Sequence, residues 1–96
     1  GAADAIEHIV VKDFTTCLIL RMRSVPALDS TALNALQNLT KVCESKGITL
    51  VFSHVNEQPM KVMVKSGFVD LVGKENFCPN IRAALDHAEK IIATAK

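Results

Sequence analysis

The sequence predicts an α/β fold organised around a parallel βαβ unit. Two short apolar runs of β character flank one stretch of helical periodicity, and a glycine closes that stretch just before the second run. Strand, helix and strand joined by tight turns make the two strands parallel, since the helix is the crossover that parallel neighbours require.

Taken in order, Ala2, Ala5, Ile6, Ile9 and Val10 fall at helical spacing, with Asp4, Glu7 and His8 off the stripe. Residues 17–23 (CLILRMR) then read as a strand, apolar on both sides at its start and alternating later, which suits coverage of both faces. Ala32, Ala35, Leu36, Leu39 and Cys43 form an i, i+3, i+4, i+7 stripe, and Gly47 stands where a left-handed helix end belongs. Residues 48–53 (ITLVFS) follow at once as a second buried strand.

Asn56 is placed to cap a third helix, with Pro59 in its first turn and Val55 and Met60 set for a hydrophobic staple. Gly67 ends it. Residues 68–79 read as irregular, with one short strand around 76–78. The last helix carries Ile81, Ala84, Leu85, Ala88, Ile91 and Ile92 on one face, Asn80 as its cap and an Asp86–Lys90 pair outside. Two strands and a short third are few for four amphipathic helices. The pattern reads as a domain lacking its N-terminal strand or strands.

Composition narrows the function. Ninety-six residues allow one domain, spanning 1–96, and 49% hydrophobic residues exclude a disordered tail. The longest apolar runs (9–11, 17–20 and 48–52) fall far short of the roughly 20 residues a spanning helix needs. No basic-then-apolar leader opens the chain. Eleven basic and ten acidic residues are interspersed, and no Trp or Tyr is present, so neither a phosphate-binding stripe nor a base-stacking platform forms. Nucleic acid is not an expected partner. Cys17, Cys43 and Cys78 have no CxxC spacing and read as reduced thiols of a cytosolic protein.

Local chemistry concentrates at residues 24–33 (SVPALDSTAL), at the carboxyl end of the first strand, where open α/β sheets bind ligands. Asp29, Ser30 and Thr31 lie at the helix start, among unpaired N–H groups and the positive dipole end. A phosphate on Ser30 would add about −1.5 to −2 charges, helped by the dipole and opposed by Asp29. Plain capping by Asp29, worth about 1 kcal/mol, explains the same residues, and the two readings are compatible.

Other candidates carry less. His8, His54 and His87 stand in three separate elements with no ligand spacing, so no metal site is expected. Cys78 and His87, with Asp86 as orienter, lack any organised nucleophile geometry, and Cys78 is expected to pack near Phe77. Lys61 and Lys65 read as a solvated helical face, and Met60 and Met63 as core.

Residues 25–33 (VPALDSTAL) resemble the strand-to-helix loop of STAS domains, the family of sulfate transporters and anti-sigma-factor antagonists. The transporter branch is the better match. Met22, Pro26 and the Asp29-Ser30-Thr31 step are similar to its x-P-x-[IL]-D-x-T loop, with Thr31 in the threonine position. Residues 55–62 (VNEQPMKV) resemble V-R-x-Q-P-x-K-V, residues 67–76 (GFVDLVGKEN) resemble G-[LF]-x-D-x-[IL]-G-x-E-N, and residues 81–85 (IRAAL) resemble I-x-x-A-L.

The resemblance implies a STAS-like sheet preceded by a hydrophobic strand, and a non-catalytic regulatory domain of a SulP-type sulfate or anion transporter. It places that domain on the cytoplasmic face of the bacterial inner membrane, this fragment itself being soluble. Expected partners are the transporter's own membrane domain, a carrier or regulatory protein, and a second copy by dimerisation or strand exchange. No cofactor is implied beyond weak nucleotide binding. The alternative within the family is a free-standing anti-sigma-factor antagonist with Ser30 as phosphoacceptor. There the family usually has glycine where this chain has Ala32.

Overall fold

The computed structural model describes residues 17–94. β1 (Cys17–Arg21) and β2 (Thr49–Ser53) pair in parallel from Cys17↔Thr49 to Arg21↔Ser53. β3 (Phe77–Cys78) adds to the other side of β2, also parallel, through Phe52↔Phe77 and Ser53↔Cys78. The sheet order is therefore β1-β2-β3 with β2 at the centre. β2 explains its own position: Leu50, Val51, Phe52 and Ser53 are all buried, as a strand covered on both faces requires.

Alternation along the strands divides the core. Leu20, Leu50 and Phe52 share one cluster with Ala32, Ala35, Leu36, Leu39 and Cys43 of α1 (Ser30–Ser45). Val51 points to the opposite face, where α4 (Ile81–Thr94) lies against all three strands with Ala84 and Ala88 buried. The predicted parallel βαβ unit is observed, and helices cover both faces of its sheet.

The α1 stripe is the buried face foreseen from periodicity, with Thr40 added. Its buried hydroxyl donates to the Leu36 carbonyl at 2.8 Å, which removes the cost of an unpaired polar group. α1 ends at a Schellman turn: Ile48 N–H reaches Cys43 O at 2.8 Å, Gly47 N–H reaches Glu44 O at 3.2 Å, and Gly47 has φ +70°.

α2 (Glu57–Lys65) buries Pro59 and Met63, while Met60 is half-buried. The segment after Gly67 is more ordered than its sequence suggests. It forms a five-residue helix, α3 (Phe68–Val72), then a 3-10 turn (Lys74–Asn76) that runs directly into β3. A helix of that length is too short to register as a period. It is held instead by Phe68 and Val69, which enter the core. β3 accordingly begins at Phe77, Asn76 being the last residue of the 3-10 turn.

Two aromatic contacts join these pieces to the sheet. Phe52 stacks on Phe77 (centroids 4.9 Å apart, planes at 5°) and meets Phe68 edge-on (5.7 Å, 85°). The α4 stripe is buried less completely than its spacing suggests. Ala84 and Ala88 are buried, whereas Leu85 is 51% and Ile92 45% exposed. Asn80 caps α4 as expected, its Oδ1 accepting from Ala83 N–H at 2.8 Å. The expected helix at 2–10 and the missing N-terminal strand lie outside the described residues.

Candidate functional site

The turn from β1 into α1 is where the predicted site residues fall. β1 ends at Arg21, two residues earlier than expected, although Met22 N–H still extends the ladder to Ser53 O at 2.9 Å. The chain then crosses the sheet's carboxyl end and enters α1 at Asp29, the N-cap, whose backbone is extended (φ −92°, ψ 177°). Asp29 Oδ1 accepts from Ala32 N–H at 2.8 Å, and Asp29 O accepts the first helical bond from Leu33 N–H at 2.9 Å.

Asp29, Ser30 and Thr31 are all exposed, while Leu28 before them and Ala32 after them are buried. The three residues thus sit together on an outward-facing first turn. Helix geometry leaves the N–H groups of this turn without intrahelical partners, and Asp29 takes one of them. An exposed hydroxyl, a carboxylate and a positive dipole end share this corner. Asp29→Ala is expected to cost about 1 kcal/mol by loss of the cap bond, read as a lower midpoint in urea unfolding.

The loop leading to this corner is held from α2, a feature that local sequence rules do not disclose. Asn56 occupies the N-cap position of α2 but makes no side-chain cap bond. Its Nδ2 instead donates to Arg23 O at 3.0 Å and Val25 O at 2.9 Å, with Met22 O at 3.5 Å. The expected cap is corrected for a physical reason. The Arg23 and Val25 carbonyls lie beyond the end of the strand ladder, and the amide gives them a donor. Gln58 grips Leu28 from both ends, accepting from its N–H at 2.7 Å and donating to its carbonyl at 3.4 Å. The sole hint in the sequence is the 55–62 segment, where two amide residues bracket Glu57 ahead of Pro59.

Pro26, the cap residue Asn56 and α2 residues Glu57, Gln58 and Lys61 line an open groove of about 610 Å³ beside this loop. Lys61 pairs with Glu57 at 3.2 Å on a well-exposed surface, where such a pair contributes a few tenths of a kcal/mol. Lys65 is exposed one turn on.

The remaining candidates go elsewhere. His87 Nε2 lies 2.8 Å from Asn76 Oδ1, so that ring nitrogen is engaged by an amide rather than a thiol. Burial pushes the thiols of Cys17, Cys43 and Cys78 up, which keeps them protonated and weakly nucleophilic. All three cysteines are free. Cys78 is half-buried next to Phe77 and shares a cavity of about 290 Å³ with His54 and Met60. No described helix is long and apolar enough to cross a membrane.

Comparison with known proteins agrees with the fold. A family model described as the STAS domain matches residues 2–87. The chain is 34% identical over 68 residues to a probable sulfate transporter 4.2 of Arabidopsis thaliana, covering 71% of this chain and 10% of that protein. It is 27% identical over 79 residues to sulfate transporter 3.2 of the same plant, covering 82% and 12%. The chain thus spans about a tenth of the length of the curated relatives it matches.

Among solved structures, a sulfate transporter family protein from Wolinella succinogenes superposes with a TM-score of 0.86 at 30% identity, covering 95% of this chain and 76% of that one. The STAS domain of a SulP transporter from Vibrio cholerae gives 0.78 at 29% identity, covering 96% and 70%. The chain belongs to the STAS domain family, and its likeness within that family is to the domains of sulfate transporters.

Proposed function

We propose that this chain is the cytoplasmic regulatory and interaction domain of a SulP-type sulfate or anion transporter, acting without catalysis of its own. The α1 start is its responsive surface: Asp29, Ser30 and Thr31 receive a phosphate, a nucleotide phosphate or a partner's acidic group. The observation that carries this reading is the exposed Ser30–Thr31 turn at the carboxyl end of β1, with Asp29 closing the helix beside it. The transporter identity of the relatives supports the setting.

Ser30 is also the residue an anti-sigma-factor antagonist would expose to its kinase, and its exposed position favours phosphorylation as the route of response. Incubating the chain with extract of its host cells and ATP, then mapping phosphate by mass spectrometry, tests this. Phosphate on Ser30 is the expected result; phosphate confined to other hydroxyls removes Ser30 from the role. Light scattering across a concentration series tests the proposed self-association, and a strictly monomeric chain at high concentration counts against it.

A further inference from the structure

We infer that Asn56 and Gln58 are positioning residues that tie the helix start carrying Ser30 to α2, so that negative charge placed on Ser30 is relayed to the first turn of α2. The inference rests on the reading of Ser30 and its neighbours as a responsive surface.

Residues 23–28 lie beyond the β1 ladder, where Val25 N–H turns back to Met22 O at 3.0 Å and the carbonyls of Arg23, Val25 and Leu28 find donors on Asn56 and Gln58. Asn56 Nδ2 meets the carbonyls of Arg23 and Val25 at 3.0 and 2.9 Å and that of Met22 at 3.5 Å. Carbonyls alone surround that atom, which identifies it as the NH₂ end of the amide. Gln58 then holds both backbone groups of Leu28, Oε1 accepting at 2.7 Å and Nε2 donating at 3.4 Å. Leu28 is fixed on its other side by the core, being only 3% exposed. It is also bonded covalently to Asp29, whose carboxylate holds Ala32 N–H at 2.8 Å. Contacts therefore run without a gap from the first turn of α1, through the Asp29 cap and the Leu28 peptide, into the first turn of α2.

A dianion on Ser30 competes with the Asp29 carboxylate for the same N–H groups and repels it. Moving Asp29 off Ala32 N–H turns the Leu28–Asp29 peptide, whose carbonyl faces Gln58 Nε2, and the displacement passes through Leu28 to the shorter Leu28 N–H···Oε1 bond. The Nε2 bond is already long and adds little resistance. α2 has no cap of its own to fall back on, because Asn56 spends its side chain on the loop. Losing the clasp thus loosens the entry to α2, where Glu57 and Lys61 face solvent.

Backbone amide NMR of the ¹⁵N-labelled chain tests the relay by comparing S30E with the unmodified protein in three backgrounds: native, Gln58→Met and Gln58→Glu. The expected result is that S30E moves the Ala32 and Leu33 signals and also those of Met60 and Lys61. In Gln58→Met the α2 response falls by about threefold while the Ala32 response persists. Gln58→Glu retains the acceptor for Leu28 N–H and keeps the relay. Gln58 is exposed, so neither change removes core. Equal α2 shifts with and without Gln58 overturn the inference. Shifts at Ala32 with none in α2 overturn it too and leave the helix-start reading standing, whereas silence at both positions overturns both.

Discussion

Phe52→Ala is expected to destabilise the domain by about 3–5 kcal/mol, more than any other single truncation of the core. Phe52 is wholly buried in the central strand and meets two other rings, Phe77 in β3 and Phe68 in α3. With no Trp or Tyr in the chain, three of its four aromatic residues meet at this one point. Truncation loses the transfer energy of one ring, leaves a cavity, and removes the surface on which the two-residue β3 rests. Domains of this size hold about 5–15 kcal/mol in all, so most of the margin goes. Urea unfolding followed by circular dichroism measures the loss. Phe52→Leu should recover the greater part. A cost below about 1 kcal/mol for the alanine variant would show that the ring cluster does not carry the core.

Asn76→Leu is expected to cost about 2–3 kcal/mol, although it keeps nearly the same volume. Asn76 is 8% exposed and works at both ends of its amide. Nδ2 donates to Val72 O at 2.9 Å, which caps the end of α3, and Oδ1 faces His87 Nε2 at 2.8 Å on α4. The first bond fixes the amide's orientation, so Oδ1 is an acceptor and His87 Nε2–H donates to it. Leucine leaves the Val72 carbonyl and the imidazole without their partner. The double variant Asn76→Leu/His87→Phe should be less destabilised than the sum of the two single changes, since the unpaired imidazole is then gone. Strict additivity in thermal unfolding would mean that the two side chains do not interact.

The parts of the fold that were legible in the sequence are those written as repeated local signals. α1 shows four helical steps of apolar residues ended by a glycine, and Gly47 does adopt the left-handed conformation. β2 reads as a strand covered on both faces because its apolar run leaves no polar side. Asp29 and Asn80 follow the capping rule at their own positions.

Asn56 satisfies the same rule and breaks it, because a capping signature records only near neighbours. The carbonyls that draw its side chain away lie 31–34 residues earlier in the chain. Gln58 was hidden for the same reason: its partner is set by the packing of α2 against a loop, not by spacing. α3 was missed because five residues complete little more than one turn. Leu85 and Ile92 read as core because periodicity reports which side a helix presents, not how much of that side is covered.

The placement of β2 between two parallel neighbours also governs when the molecule can become whole. Cys17 must wait for Thr49, and Phe52 for Phe77, so no strand pairing is rewarded until a long stretch of chain has closed. Val51, on the face turned from α1, stays wet until α4 arrives, and α4 is the last described element to leave a ribosome. A chain halted at Asn80 would carry a greasy sheet surface with that roof missing, so synthesis passes through a sticky stage that, among the described elements, α4 ends.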